Sequence, residues 1–376
     1  MFCRTGRPER PRVLFGVVPS CVLLVLPLLV ALQARAESAR PAFPFRDGDR
    51  VAWIGSSSTK IGVWPKTMEF LLHTRHPELN LQAQRFTTGG GTFATGLAHL
   101  DEWLAEFKPT LVFFNYGGND ASAGEAGIPK FLENMEKCVA RVQESGARVV
   151  LVTPQAADVR KSGEEPAAKR QKYTEVMIEH CRAKGWSVID THHPLAAMQA
   201  AGEKEDPAYS MLKDKIHLTN PAYVGWGYIL YDLLDPDAAE SAATLEADGR
   251  VVSTKRCEIL DVKAGPGVLS FTRADKVLPI LPPGSLPPRQ AVPLEARSRY
   301  LLRVEGLPEG SYAITSEGEP VGTADAKTLA AGINLNTLLL NQKQTPPWEA
   351  LAKQIWDGQE LDQVGKTRWR FEIRKQ

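Results

Sequence analysis

Four short apolar runs, separated by segments with helical period, constrain this chain more than any other feature. They are "VAWIG" (51–55), "TLVFFNYG" (110–117), "ARVVLVTP" (147–154) and "WSVID" (186–190). Runs apolar on both faces suit strands of a parallel sheet covered on both sides. A weaker strand is expected at "LNLQAQRF" (79–86). Between the runs, a helix is expected from about Trp64 to Arg75, and others over 128–145 and 166–184. Phe93, Leu97, Leu100, Leu104 and Phe107 recur every three or four residues and mark one face of a further helix. Alternating strands and helices predict an α/β, doubly wound parallel sheet with right-handed crossovers. In such sheets ligands bind beyond the carboxyl ends of the strands, which fixes where chemistry belongs.

The two ends of the chain differ from this middle. Arg4, Arg7, Arg10 and Arg12 precede an apolar run from Val13 to Leu32, which ends in Ala34-Arg35-Ala36. Basic, apolar, then small-x-small is the layout of a signal peptide over residues 1–36, with a membrane anchor as the alternative. Loss of that leader removes five arginines and one glutamate and takes the formal net charge from +1 to −3. Neither value supplies a field that draws in nucleic acid or acidic lipid. At 376 residues the chain is long enough for two domains. Beyond about residue 236 the pattern turns β-rich: a hairpin in "TLEADGRVV", strand-like runs in "CEILDVKAGPGVLSFT" and "RYLLRVEGLPEGSYAIT", and a closing half-buried strand in "RWRFEIRK". The proline-rich stretch 278–293 is expected to be extended or loop, and a helix is expected from Trp348 to Trp356. The expected division is a leader at 1–36, an α/β domain at 45–236 and a smaller β-rich domain at 237–376.

The cysteines exclude two frameworks. Cys138, Cys181 and Cys257 are far apart and odd in number, and no C-x-x-C occurs, so neither a disulfide scaffold nor a zinc site is expected. Cys138 shares a helical face with Leu132, Met135 and Val142 and reads as a buried thiol.

The expected strand ends carry polar, glycine-rich stretches: Gly55-Ser56-Ser57-Ser58, "TTGGGT" (87–92) and "GGND" (117–120). Before the last helix of this part comes "KDKIHLTNPAY", with Asp214 three residues ahead of His217. Acyl transfer near neutral pH needs a nucleophile, a base to take its proton, a group that orients the base, and donors for the oxyanion. A serine, a histidine, a carboxylate, and glycine amides with an asparagine side chain meet those needs. "TTGGGT" lacks a following Lys-Ser/Thr and a G-x-G-x-x-G spacing, so it is a poor nucleotide cradle.

In the order Ser, Gly, Asn, Asp-x-x-His, the chain resembles the SGNH hydrolases, also called GDSL esterases and lipases. The resemblance covers about residues 47–235. "IGSSST" aligns with the first block, "TTGGGT" with the second, "GGND" with the third and "DKIH" with the D-x-x-H block. It implies a three-layer, flavodoxin-like α/β/α fold and hydrolysis of carboxylic esters without metal or cofactor. It makes Ser57 the nucleophile, His217 the base and Asp214 its orienting acid, with the N–H groups of Ser57 and Gly90 and the amide of Asn119 as the oxyanion hole. Ser56 and Gly91 stand where the family usually has aspartates, and neither position belongs to the triad.

The resulting expectation is an exported serine esterase acting on small-molecule or glycan esters, with O-acetyl groups on carbohydrate as the favoured substrate. No nucleic-acid partner is expected, and no stable membrane insertion once the leader is removed. The alternative is a catalytically impaired glycan-binding protein on the same fold. A flavodoxin-like cofactor binder is a remote third reading. His192 and His193 are expected on a loop, structural or exposed, and Trp64 either in the core or stacked on a sugar. Lys60, near Ser57, faces either an acidic substrate or solvent.

Overall fold

The apolar runs become the centre of a five-stranded parallel sheet in the order β2-β1-β3-β4-β5. The structure is a computed structural model that describes residues 42–235, 239–284, 286–288, 293–358 and 367–376; the expected leader and the alternative anchor lie outside them. Among the described residues no helix is long and apolar enough to cross a membrane. The strands are β1 (Arg50–Gly55), β2 (Gln82–Thr87), β3 (Leu111–Asn115), β4 (Arg148–Val152) and β5 (Val188–Ile189). Sequence order 2-1-3-4-5 is the flavodoxin-like winding.

Alternate residues of the same strands feed two separate cores. Val51, Trp53, Leu111, Phe113, Val150 and Val152 enter one cluster. Ala52, Ile54, Val112, Phe114 and Leu151 enter the other, on the opposite face. That is why these runs are apolar without alternation. Helices Phe93–Phe107 and Ile128–Glu144 cover the second face through Phe93, Leu100, Met135 and Cys138. Helices Val63–Arg75 and Asn220–Leu234 cover the first. Trp64 is fully buried there, its ring 5.4 Å from Trp53 and 5.3 Å from Trp226, so it is a core residue and not a sugar platform. Lys60 is exposed.

One expectation fails locally. His192 and His193 do not sit on a loop but open the helix His192–Glu205. Pro194 is tolerated in a first turn, and the alanine-rich sequence that follows favours helix.

The β-rich part begins with β6 (Ala239–Glu246), β7 (Val251–Lys255), β8 (Cys257–Gly265) and β9 (Val268–Asp275). It continues with β10 (Ser298–Glu305), β11 (Ser311–Ser316), β12 (Glu319–Asp325), β13 (Ile333–Asn334) and β14 (Arg368–Lys375). They form sheets β13-β10-β6-β7 and β12-β11-β14-β9-β8. The described residues of the proline-rich stretch up to Pro293 are free of helix and strand. The helix Glu349–Trp356 packs on Val63–Arg75, with Trp356 6.2 Å from Phe70 between ring centroids. A single hydrophobic cluster runs from Val51 and Trp226 to Tyr300, Trp348 and Phe371.

Register sets the position of the functional rim. Gly55 pairs with Thr87 on one side and Asn115 on the other. The segments that leave β1, β2 and β3 therefore emerge at one level of one sheet edge.

Candidate active site

Gly55 ends β1 because nothing larger fits. A Cβ there would collide with Thr59 Oγ1 and lie 2.9 Å from the carbonyl oxygen of Asn115. The chain then turns directly into the short helix Ser57–Ile61, which puts Ser57 on the rim. Ser58 turns inward and its hydroxyl donates to Gln155 Oε1 at 2.8 Å.

His217 and Asp214 come to Ser57 from a loop that folds on itself. Leu212 bridges to Leu218, and Lys213 N donates to His217 O at 2.9 Å. Asp214 Oδ1 accepts from the backbone N–H groups of Ile216 at 2.8 Å and His217 at 2.7 Å. Its Oδ2 lies 3.0 Å from His217 Nδ1. The backbone N–H of His217 is the largest of the influences that hold the Asp214 carboxyl down to about 2, with that of Ile216 and the His217 ring adding to it. A carboxylate only accepts, so Nδ1 carries the ring proton and Nε2 is left as acceptor. His217 Nε2 lies 3.1 Å from Ser57 Oγ, and the serine hydroxyl therefore donates to the ring. The structure thus joins Ser57, His217 and Asp214 in one chain of hydrogen bonds across 160 positions of sequence.

Neighbouring segments pin this loop. Gln155 Nε2 donates to Ile216 O, so Gln155 links the Ser57 helix to the Asp214–His217 loop through Ser58. Lys161 Nζ donates to Leu212 O, and Ser162 Oγ to Lys215 O at 2.9 Å.

The other two blocks meet each other. Gly91 N donates to Thr88 O at 3.1 Å, closing a turn whose third residue, Gly90, has φ +68°. A positive φ at that place is why glycine stands there. Asn119 Nδ2 donates to Gly91 O at 2.8 Å, which fastens the third block to the second and engages one of the amide's two N–H bonds. Asp120 holds the asparagine loop from behind, accepting from Phe93 N at 3.2 Å and Gly117 N at 3.0 Å. Burial pushes the Asp120 carboxyl up from its ordinary value.

Ser57 and Asn119 line a recess of about 20 Å³ with Ser56, Tyr116, Gln155 and Ile216. Gly90 and Asn119 line an adjoining open cleft of about 600 Å³ with Lys169, Arg170 and Lys215. Gly118, Asn119, Arg170 and Ile216 border both spaces. An apolar-walled cavity of about 170 Å³ near Trp348 is distant in sequence from all of them and holds none of the candidate residues.

Sequence reasoning missed Gln155 and Arg170. Gln155 lies just past the end of β4, where the strand-end rule points. Arg170 shares a helical stripe with the buried residues Tyr173, Thr174, Met177 and Cys181, an inward position in a run that otherwise reads as a solvated face. His192 is a buried packing residue, its Nδ1 3.2 Å from Thr174 Oγ1 and 3.2 Å from Pro154 O, and His193 pairs with Asp190 at 2.6 Å.

Residues 54–224 match the model of the GDSL-like lipase/acylhydrolase family. No curated protein sequence matches the chain. Among solved structures, a gut microbial diltiazem-metabolizing enzyme aligns with a TM-score of 0.73 at 23% identity, covering 85% of this chain and 78% of that one. That coverage extends the shared fold into the C-terminal sheets. An acetyl xylan esterase covers 49% of this chain and 98% of its own at 18% identity, with a TM-score of 0.43. A lipase/acylhydrolase from Enterococcus faecalis covers 48% of this chain and 92% of its own at 21% identity, with a TM-score of 0.39.

Proposed function

Given that residues 54–224 form a GDSL-like lipase/acylhydrolase domain, and that the chain is accordingly an ester-bond hydrolase, we propose that it is an exported serine esterase removing small acyl groups, O-acetyl above all, from carbohydrate. Ser57 Oγ attacks the acyl carbon while His217 Nε2 takes its proton. His217 then passes that proton to the leaving alcohol, and the acyl group stays on Ser57. Water attacks the acyl-enzyme with His217 again as base, and the acid departs as Ser57 recovers its proton. Asp214 keeps the imidazole in the accepting tautomer and balances the imidazolium formed in each half. The backbone N–H groups of Ser57 and Gly90 and the amide of Asn119 hold the oxyanion.

The observation that carries this reading is the chain Ser57–His217–Asp214, at 3.1 and 3.0 Å, beside a recess that Asn119 also lines. The sizes of the two spaces favour the substrate class. About 20 Å³ beside Ser57 suits an acetyl group better than a fatty chain, and the open cleft of about 600 Å³, with Asn119, Lys169, Arg170 and Lys215 on its walls, suits a sugar. Export rests on the leader-like sequence of residues 1–36. We take 45–236 as the hydrolytic unit and 237–376 as an accessory β-rich region. No C-terminal residue lines the recess or the cleft among the described residues.

Hydrolysis of an aryl acetate and acetate release from acetylated glycans test the reading, with Ser57→Ala and His217→Ala as controls. Turnover abolished by both variants supports it. Undiminished turnover in Ser57→Ala overturns it, and saturable glycan binding with no turnover returns the impaired-binder alternative.

A further inference from the structure

Among the described residues, Arg170 is a buried charge without a partner. Its residue is 7% exposed, and Nε and Nη1 are enclosed by protein with no hydrogen bond. No ion pair or aromatic ring engages its guanidinium among the described residues. Burial alone pushes its pKa down, and no carboxylate pulls it back. The nearby His192 cannot offset that charge, since an imidazole is either neutral or cationic, and burial also pushes its pKa down. An enclosed cation left this way is costly and is retained where it meets an anion in use.

Its place says which anion. A Cβ built on Gly118 would lie 4.0 Å from Arg170 Nε, so the guanidinium sits directly behind the Gly118-Asn119 segment. Arg170 borders both the recess of Ser57 and the open cleft. Lys215 also lines that cleft, exposed and in no ion pair among the described residues, whereas Lys169 is already engaged by Glu165 at 2.6 Å. Among the described residues, two uncommitted cations thus face a space whose one carboxylate, Glu165, is occupied.

We propose that Arg170, with Lys215, forms an anion subsite that makes this esterase select substrates carrying a carboxylate beside the scissile ester, such as an acetylated uronate. This rests on the esterase reading above and adds its substrate class. With Nε and Nη1 enclosed by protein, Nη2 is the guanidinium nitrogen left to donate, and a charge-assisted hydrogen bond from it favours a carboxylate over a neutral hydroxymethyl group. Lys215 adds an exposed charge that lines the same cleft.

The test compares three mono-O-acetylated methyl glycosides that differ only at the exocyclic carbon: a hydroxymethyl, a carboxylate and a phosphorylated hydroxymethyl group. We expect kcat/KM for the carboxylate to exceed that for the neutral sugar by about ten- to a hundredfold, the strength of a charge-assisted pair. Arg170→Gln should collapse that ratio, and Arg170→Lys should restore part of it. A phosphate favoured over the carboxylate would overturn the carboxylate assignment. A wild-type enzyme indifferent to charge, or an Arg170→Gln enzyme that loses neutral and anionic turnover in equal measure, would overturn the subsite. If Arg170 variants do not fold, inhibition of wild-type aryl acetate hydrolysis by free uronate against the neutral sugar decides the question, with uronate expected to be the stronger inhibitor. If no ester is turned over at all, calorimetric titration of the wild-type chain with the same two sugars still separates a failed esterase reading from a failed anion subsite.

Discussion

Two arginines deep in the molecule show how differently its two regions treat a buried charge. In the β-rich region Arg273 is fully enclosed. Its Nε lies 3.0 Å from Asp275 Oδ1, Nη1 donates to Leu301 O at 2.8 Å, and Nη2 to Ser241 Oγ at 2.7 Å. Tyr300 closes the set, donating to Asp275 Oδ2 at 2.6 Å with its ring 4.3 Å from the guanidinium carbon. At the rim of the parallel sheet, Arg170 has none of this. The satisfied arginine ties β6, β9 and β10 into one body. The unsatisfied one borders the candidate active site. The contrast is between these two guanidinium groups: one is matched by a carboxylate, a carbonyl and a hydroxyl, and the other leaves two enclosed nitrogens unmatched at the edge of the candidate site.

Variants at the rim should change turnover with little change in stability, and variants in the Arg273 network should do the reverse. Ser57→Ala should lower kcat by about 10⁴-fold or more, because the nucleophile and base act as a unit. Its thermal midpoint should stay near the wild-type value. Asp275→Ala leaves Arg273 uncompensated and should cost about 3–5 kcal/mol in denaturant unfolding, whereas replacing both partners with apolar residues should cost far less. Equal losses from the single and the double replacement would contradict the network. Asn119→Ala should lower kcat by about 10²–10³-fold if its amide holds the oxyanion. A KM effect alone would assign it to ground-state binding.

The smallest effect belongs to the helix between the two regions. Glu69, half-buried on Val63–Arg75, has its carboxyl pushed up to about 7 by burial, against the pull of Arg85. The folded chain therefore keeps that proton longer than the unfolded chain. This group favours folding at low pH and turns against it as pH rises from 4.5 toward about 7. Glu69→Gln should flatten that part of the stability–pH curve. An unchanged slope would show that another group sets it.

The sequence made the parallel sheet legible because its strands are apolar on both faces, and the two cores they feed are the cause. It also singled out Ser57, since only the distant Asn119 and Asp214-x-x-His217 blocks separate that serine from Ser56 and Ser58. Arg170 was hidden in a charged run, Lys169-Arg170-Gln171-Lys172, where one inward side chain looks like its solvated neighbours. The parallel pairing of β6 with β10 and the insertion of β14 between β9 and β11 depend on contacts far apart in sequence, which local pattern does not carry. The helix His192–Glu205 was obscured by His-His-Pro at its start, a sequence that reads as a turn until its alanines are weighed.

The most direct measurement is covalent labelling with a serine-directed fluorophosphonate, followed by peptide mapping. One adduct is expected, on Ser57, with labelling strongly reduced in His217→Ala and absent in Ser57→Ala. An adduct on Ser56 or Ser58, or labelling indifferent to His217, would contradict it.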